Sequence, residues 1–273
     1  MRTPVGRRNV SYPSTGMRAA LRPLNYLASV PIYIDLDCAT DKNMLLAKFD
    51  EIEKNSTNIV EMVGTEAVEV SRYIFARYRK VDPAKDKVFQ FLFRSAYRID
   101  NAGLTVEFKK KFFEIFREAK NQGCADIREI VRTLQPIPNK RGHPSLQFSF
   151  ATKLANTVDS TMPLYDDWVA KTFCFQKPRN HLDFESRLSQ YMAFYNVLRT
   201  LYEKIIEEDL LAGPREHFRR FYAPAATKIS EQKILDFIFW SAGKLNFHIH
   251  VEAAPGQIFD FTFPEFKNIP RPT

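Results

Sequence analysis

Apolar residues recur at helical spacing through most of the chain between Lys42 and Gly243, and strict alternation replaces that pattern only near the C-terminus. The first pattern gathers apolar side chains on one face of an α-helix; the second gathers them on one face of a strand. From Lys42 to Asn55 the apolar positions are Leu45, Leu46, Phe49 and Ile52. A second helix is predicted from Thr65 to Arg79, carrying Val68, Tyr73, Phe75 and Ala76 and ending before Val81-Asp-Pro83. A third spans 85–98, with Val88, Phe91, Leu92 and Ser95 on one stripe. After the loop from Ile99 to Leu104, Thr105 reads as an N-cap ahead of Phe108, Phe112, Phe113 and Phe116.

The same spacing predicts a helix from Ala125 to Leu134 and another from Ser145 to Val158, separated by a Pro-rich basic loop. Asp166 or Asp167 is placed to cap a helix at Trp168–Cys174. The longest periodic run, 183–210, carries Leu188, Tyr191, Met192, Tyr195, Leu198, Leu201 and Ile205, and Gly213-Pro214 is expected to break it. Ser230 opens a final helix through Phe239, Trp240 and Ala242, which Gly243 is expected to stop. Phe247, Ile249 and Val251, then Phe259, Phe261 and Phe263 after Pro255-Gly256, alternate as a small hairpin would. Val30 to Leu36 reads as a short strand or extended segment, and no internal repeat is present. The expected fold is mostly α: a flexible basic arm at 1–22, then one helical domain with lobes at about 23–124 and 125–245 and a β tail at 246–263.

Composition sharpens this. With 273 residues, 45% of them hydrophobic and 14% aromatic, the chain can bury a sizeable core. Only 9 glycines occur, with no glycine-rich phosphate loop of either nucleotide-binding type. Cys38, Cys124 and Cys174 are far apart and form no C-x-x-C pair, so neither a disulfide framework nor a cysteine zinc site is expected, and a reducing cytoplasmic setting fits. No apolar run has transmembrane length, and no membrane partner is expected.

The formal net charge of +8 favours a polyanionic partner, and DNA is the partner expected. Basic clusters fall at Lys109–Lys111, at Lys140–Arg141 beside His143, and at Arg215–Arg220. Two groupings, one acidic and one of histidines, are candidate metal sites. Asp35 and Asp37 alternate near Asp41, but no E-x-K or D-x-K element of a metal-dependent nuclease stands there. His248 and His250, with Glu252 on the same strand face, lack a marked third ligand. No metal and no cofactor is expected.

The sharper chemistry lies in Ser149-Phe-Ala-Thr-Lys153-Leu-Ala155 and Tyr165-Asp166-Asp-Trp-Val169. On a helical wheel Leu146, Phe150, Ala151, Leu154, Ala155 and Val158 form an apolar arc with Lys153 at its edge. A half-sheltered ammonium has a depressed pKa, as an amine nucleophile needs; a lysine stem covering the core edge is the structural alternative. Asp166, at the mouth of the next helix, is a simple cap or a carboxylate that stabilises a developing cation.

These two stretches resemble the centre of the helix-hairpin-helix DNA glycosylase superfamily, most of all its 8-oxoguanine glycosylase branch. The likeness covers about residues 125–175, with a weaker helical similarity over 60–245. Ser149 and Ala151 stand where that family has glycines, Trp168 where it has a histidine, and the lysine-to-aspartate interval is shorter. The resemblance implies a base flipped out of duplex DNA, Lys153 attacking the sugar carbon, Asp166 stabilising the oxocarbenium-like charge, and a Schiff base that leads to strand cleavage. It implies Phe150, Tyr165, Trp168 or Trp240 as walls around the base, and no cofactor. The competing expectation is a non-catalytic helical nucleic-acid-binding or interaction protein of the defence type.

Overall fold

A computed structural model describes residues 48–247, and these are mostly helical. The expected basic arm, the strand at 30–36, the carboxylates Asp35 and Asp37, and the histidines His248 and His250 lie outside the described residues. So does the alternating tail beyond Phe247.

After a helical stretch at 48–54, ten α-helices follow: α1 (Ser56–Glu61), α2 (Thr65–Lys80), α3 (Lys87–Ala96), α4 (Val106–Gln122), α5 (Ile127–Leu134), α6 (Phe148–Val158), α7 (Asp167–Thr172), α8 (Phe184–Glu207), α9 (Ala212–Phe221) and α10 (Glu231–Lys244). Short 3-10 turns at Ile99–Asn101 and Ala225–Lys228 complete the set. Among the described residues there is no sheet, only an isolated antiparallel bridge between Leu104 and Asn139.

Most of the starts have a chemical cause. Asp86, Thr105, Asp126, Asp166, Asp183 and Ser230 each precede a helix, and each side chain accepts a hydrogen bond from a first-turn N–H. Those N–H groups have no partner within the helix, so such a cap is worth about 0.5–2 kcal/mol.

Two expected boundaries move. The break after α8 comes at Asp209 and Leu211, both with φ of 53°, and not at Gly213-Pro214. Pro214 sits in the first turn of α9, where its missing N–H costs nothing. Gly243 does not stop α10 but lies inside it. A Cβ there would run into the Trp168 carbonyl and approach Thr172 Oγ1 within 2.7 Å, so the glycine lets α10 press against α7.

Two buried stripes also differ from expectation. On α3 the buried positions are Phe89, Gln90 and Phe93, while Val88 and Phe91 face outward. On α2 they are Val68, Ser71, Ile74 and Tyr78, with Tyr73 exposed. Aromatic residues on both faces of each helix left periodicity unable to choose; packing against α4 chooses. Phe89, Phe93, Phe112 and Phe116 interlock there, with Phe93 and Phe116 edge to face at 5.1 Å. Edge-to-face pairs add about 0.5–1.5 kcal/mol each beyond burial. A second aromatic group joins α6 and α8 to the segments flanking α7 through Phe148, Tyr165, Phe175, Tyr191 and Phe194. No helix among the described residues is long and apolar enough to cross a membrane.

Candidate active site

Helix α6 is enclosed on nearly every side: nine of its residues, Phe148 and Phe150–Thr157 in sequence, are buried. Lys153 is therefore not at the edge of an apolar arc but within the core, 7% exposed. Its Nζ donates to Ser149 Oγ at 2.8 Å and lies 3.5 Å from Asp166 Oδ2. The rings of Phe150 and Tyr97 stand 5.3 and 5.7 Å away, a favourable setting for a cation that has lost water. Burial pushes the Lys153 amine below its ordinary value; Asp166 opposes this and Lys233 reinforces it.

Asp166 reaches this amine because the connection from α6 to α7 is tied down residue by residue. Asn156 Nδ2 donates to the Met162 carbonyl at 2.5 Å, and Tyr195 OH to the Pro163 carbonyl at 3.0 Å. Asp236 Oδ1 accepts from Leu164 N at 2.8 Å. Thr152 Oγ1 accepts from Tyr165 N at 3.1 Å, and Ser149 Oγ donates to the Tyr165 carbonyl at 3.1 Å. Asp166 then caps α7, Oδ1 accepting from Trp168 N at 2.9 Å, and turns its other oxygen to Lys153. Ser149, Thr152 and Asn156 of α6 are thus fasteners for this strap.

Lys153 and Asp166 line one cleft of about 980 Å³, whose walls include residues of α2, α3, α6, α7 and α10. Phe150, Trp168 and Trp240 line the same cleft. Trp168 is 38% exposed, and Lys244 Nζ lies 4.1 Å from the centre of the Trp240 ring.

Other expected residues are elsewhere. Tyr165 is 2% exposed and packs on Phe148, Phe175, Tyr191 and Phe194, so its ring is committed to the core and not to the cleft. Lys140, Arg141 and His143 are exposed on a turn away from the cleft lining. Asn139 holds that turn, its Oδ1 accepting from Arg141 N at 2.8 Å and His143 N at 3.3 Å. Two basic clusters are partly spent inside the fold: Lys109 pairs with Asp100, and the buried Arg215 is held by Asp209 and Glu231. Arg219 also pairs with Glu231. Only part of each cluster is open to a phosphate.

Helix α10 adds two residues that sequence reading passed over. Lys233 and Asp236 share its cleft-facing stripe with Phe237, Trp240 and Lys244, at offsets of three and four. Lys233 is 3% and Asp236 2% exposed, with 3.7 Å between Nζ and Oδ2. Asp236 Oδ1 also accepts from Tyr202 OH at 3.2 Å. Burial pushes the Asp236 carboxyl up to about 6, against the pull of Lys233. The available signal was a carboxylate set between Leu235 and Phe237 in an otherwise apolar run. No group of three or more histidine, cysteine or carboxylate side chains with metal-binding geometry occurs among the described residues.

Comparison of the chain with protein-family models, curated proteins and solved structures finds no match.

Proposed function

We propose that this protein is a DNA glycosylase and AP lyase that works through a Schiff base on Lys153, with the two-lobed helical build of the helix-hairpin-helix superfamily. One observation carries the reading: a buried lysine amine, in a cleft of the size that holds small-molecule ligands, with a capped carboxylate 3.5 Å away.

The chemistry follows from those atoms. An amine short of water gives up its proton more readily and is then nucleophilic. A base flipped into the cleft brings its sugar C1′ to Lys153. The new C1′–Nζ bond forms as the C1′–base bond breaks; the base leaves with the bonding electrons and is protonated. Asp166 faces the positive charge that develops on the sugar and accepts the proton that Nζ loses on attack. Opening of the sugar ring gives an imine, which permits β-elimination of the 3′ phosphate. Trp168 and Trp240 line the cleft that would receive the displaced base, and Lys140 and Arg141 offer charge to the DNA backbone.

The test is reductive trapping. Oligonucleotide duplexes carrying one abasic site, or one oxidised or deaminated base, are incubated with the protein and sodium borohydride. A covalent protein–DNA adduct that Lys153→Gln abolishes is expected. No adduct across the panel would leave a non-catalytic helical nucleic-acid-binding protein as the reading. Loss of activity with EDTA would point to a metal-dependent nuclease instead.

A further inference from the structure

The cleft holds two buried lysines where one would suffice for the chemistry. Lys153 and Lys233 stand on different helices, α6 and α10, yet both ammonium groups lie beside one ring: Nζ is 5.7 Å from the Tyr97 centroid in the first case and 6.0 Å in the second. Burying two cations by one aromatic wall is costly, and a buried ion pair is weak evidence of stabilisation. Their partners differ. Asp166 is a partly open cap, whereas Asp236 is a fully enclosed carboxylate anchored by Leu164 N and Tyr202 OH.

We propose that Lys233 is a positioning residue for the nucleophile: paired with Asp236 and set beside the same Tyr97 ring, its ammonium places a second positive charge in the cleft that disfavours a charge on Lys153 Nζ. The proposal rests on reading Lys153 as the amine nucleophile. The groups facing Lys153 are Asp166 and Asp167 on α7, Tyr97 after α3, and Lys233 on α10; Glu66, Arg98, Asp236 and Lys244 line the same cleft. Among these, the carboxylates Asp166 and Asp167 favour the charged amine, and Lys233 opposes it. Burial lowers Lys233 as well, but the charges acting on it, Asp236 and Asp166, both work to keep it protonated. Lys153 thus faces a cation among its neighbouring charges, whereas the charges acting on Lys233 are both carboxylates. Asp236 also fastens Leu164, two residues before Asp166, so one carboxylate steadies both the Lys233 charge and the strap.

The test measures the Lys153 amine directly. Full-length protein labelled with 13C at lysine Cε is titrated by NMR, the Lys153 resonance being assigned by its loss in Lys153→Gln. Three variants are compared with wild type: Lys233→Met, the double variant Lys233→Met/Asp236→Asn, which leaves no buried charge unpaired, and Lys233→Arg, which keeps the charge. The first two should raise the Lys153 midpoint and so lower the fraction of neutral amine at pH 7; Lys233→Arg should hold it near the wild-type value. An unchanged Lys153 midpoint in the double variant overturns the proposal. The borohydride adduct on abasic DNA is followed in parallel, its pH profile expected to move with the NMR midpoint. A shifted midpoint with no adduct in wild type supports the electrostatic role and sinks the glycosylase reading, so the two failures are distinct.

Discussion

Lys153 Nζ stands 3.5 Å from Asp166 Oδ2 although the two residues belong to different elements, one inside α6 and one at the cap of α7. The pair is held by neither residue's own helix alone; the strap at 162–165 sets the distance. Removing either side chain should separate their roles. Lys153→Gln should leave duplex affinity within about twofold and abolish the trapped adduct, whereas Asp166→Asn should slow base release by about 10²–10³-fold, the usual cost of one electrostatic stabiliser. Single-turnover base release and binding titrations check this. Parallel loss of binding in Lys153→Gln would point to a folding defect.

Asp236 should be more important for stability than its single ion pair suggests. Asp236→Ala removes the acceptor of Leu164 N and Tyr202 OH and leaves Lys233 buried without its partner. A loss of about 3–5 kcal/mol is expected from urea unfolding, with Asp236→Asn somewhat milder because it keeps an acceptor for Leu164 N and Tyr202 OH while Lys233 still loses its charged partner.

The same residue gives stability a pH dependence with a definite sign. The folded-state carboxyl titrates at about 6, above its ordinary 3.8. Between those values the folded protein holds a proton that the unfolded chain releases, so stability contributed here is present at low pH and falls as pH rises from about 4 to 6. Comparison of urea midpoints across that window should show this decline in wild type and its absence in Asp236→Asn.

Gly243→Ala should disturb the site from a distance. The added Cβ meets the Trp168 carbonyl and Thr172 Oγ1, so α7 must move off α10, taking the Asp166 cap with it. A loss of about 1–3 kcal/mol is expected from overpacking, with a weaker trapped adduct; an unchanged melting temperature would count against this packing.

Lys140 and Arg141 should act on the salt dependence of DNA binding rather than on chemistry. Each phosphate contact contributes about 0.9 to the slope of log affinity against log salt. The double alanine variant should flatten that slope by about one to two and leave the first-order rate of adduct formation at saturation unchanged.

How much of this was legible beforehand depends on the kind of information. Caps at Thr105, Asp166 and Ser230 were readable because a cap needs only a side-chain oxygen beside the first turn. The stripes of α2 and α3 were not, because Tyr73, Phe75, Val88 and Phe91 offered a second apolar face that periodicity weighs equally. Lys153 and Asp166 stood out by type and position, but Lys233 and Asp236 did not, since an i, i+3 charge pair looks like an ordinary solvated helix face until the helix is seen buried.

Local sequence determined the helical character, the capped starts and the aromatic richness of the core, because each depends on residues within one or two turns. Tertiary structure alone decided which aromatics point inward, that Tyr165 leaves the cleft, that Arg215 and Lys109 are tied up in ion pairs, and that two lysines and two aspartates from three elements converge. Those outcomes depend on which helices pack together, and the desolvation that alters the chemistry of Lys153 exists only once they have.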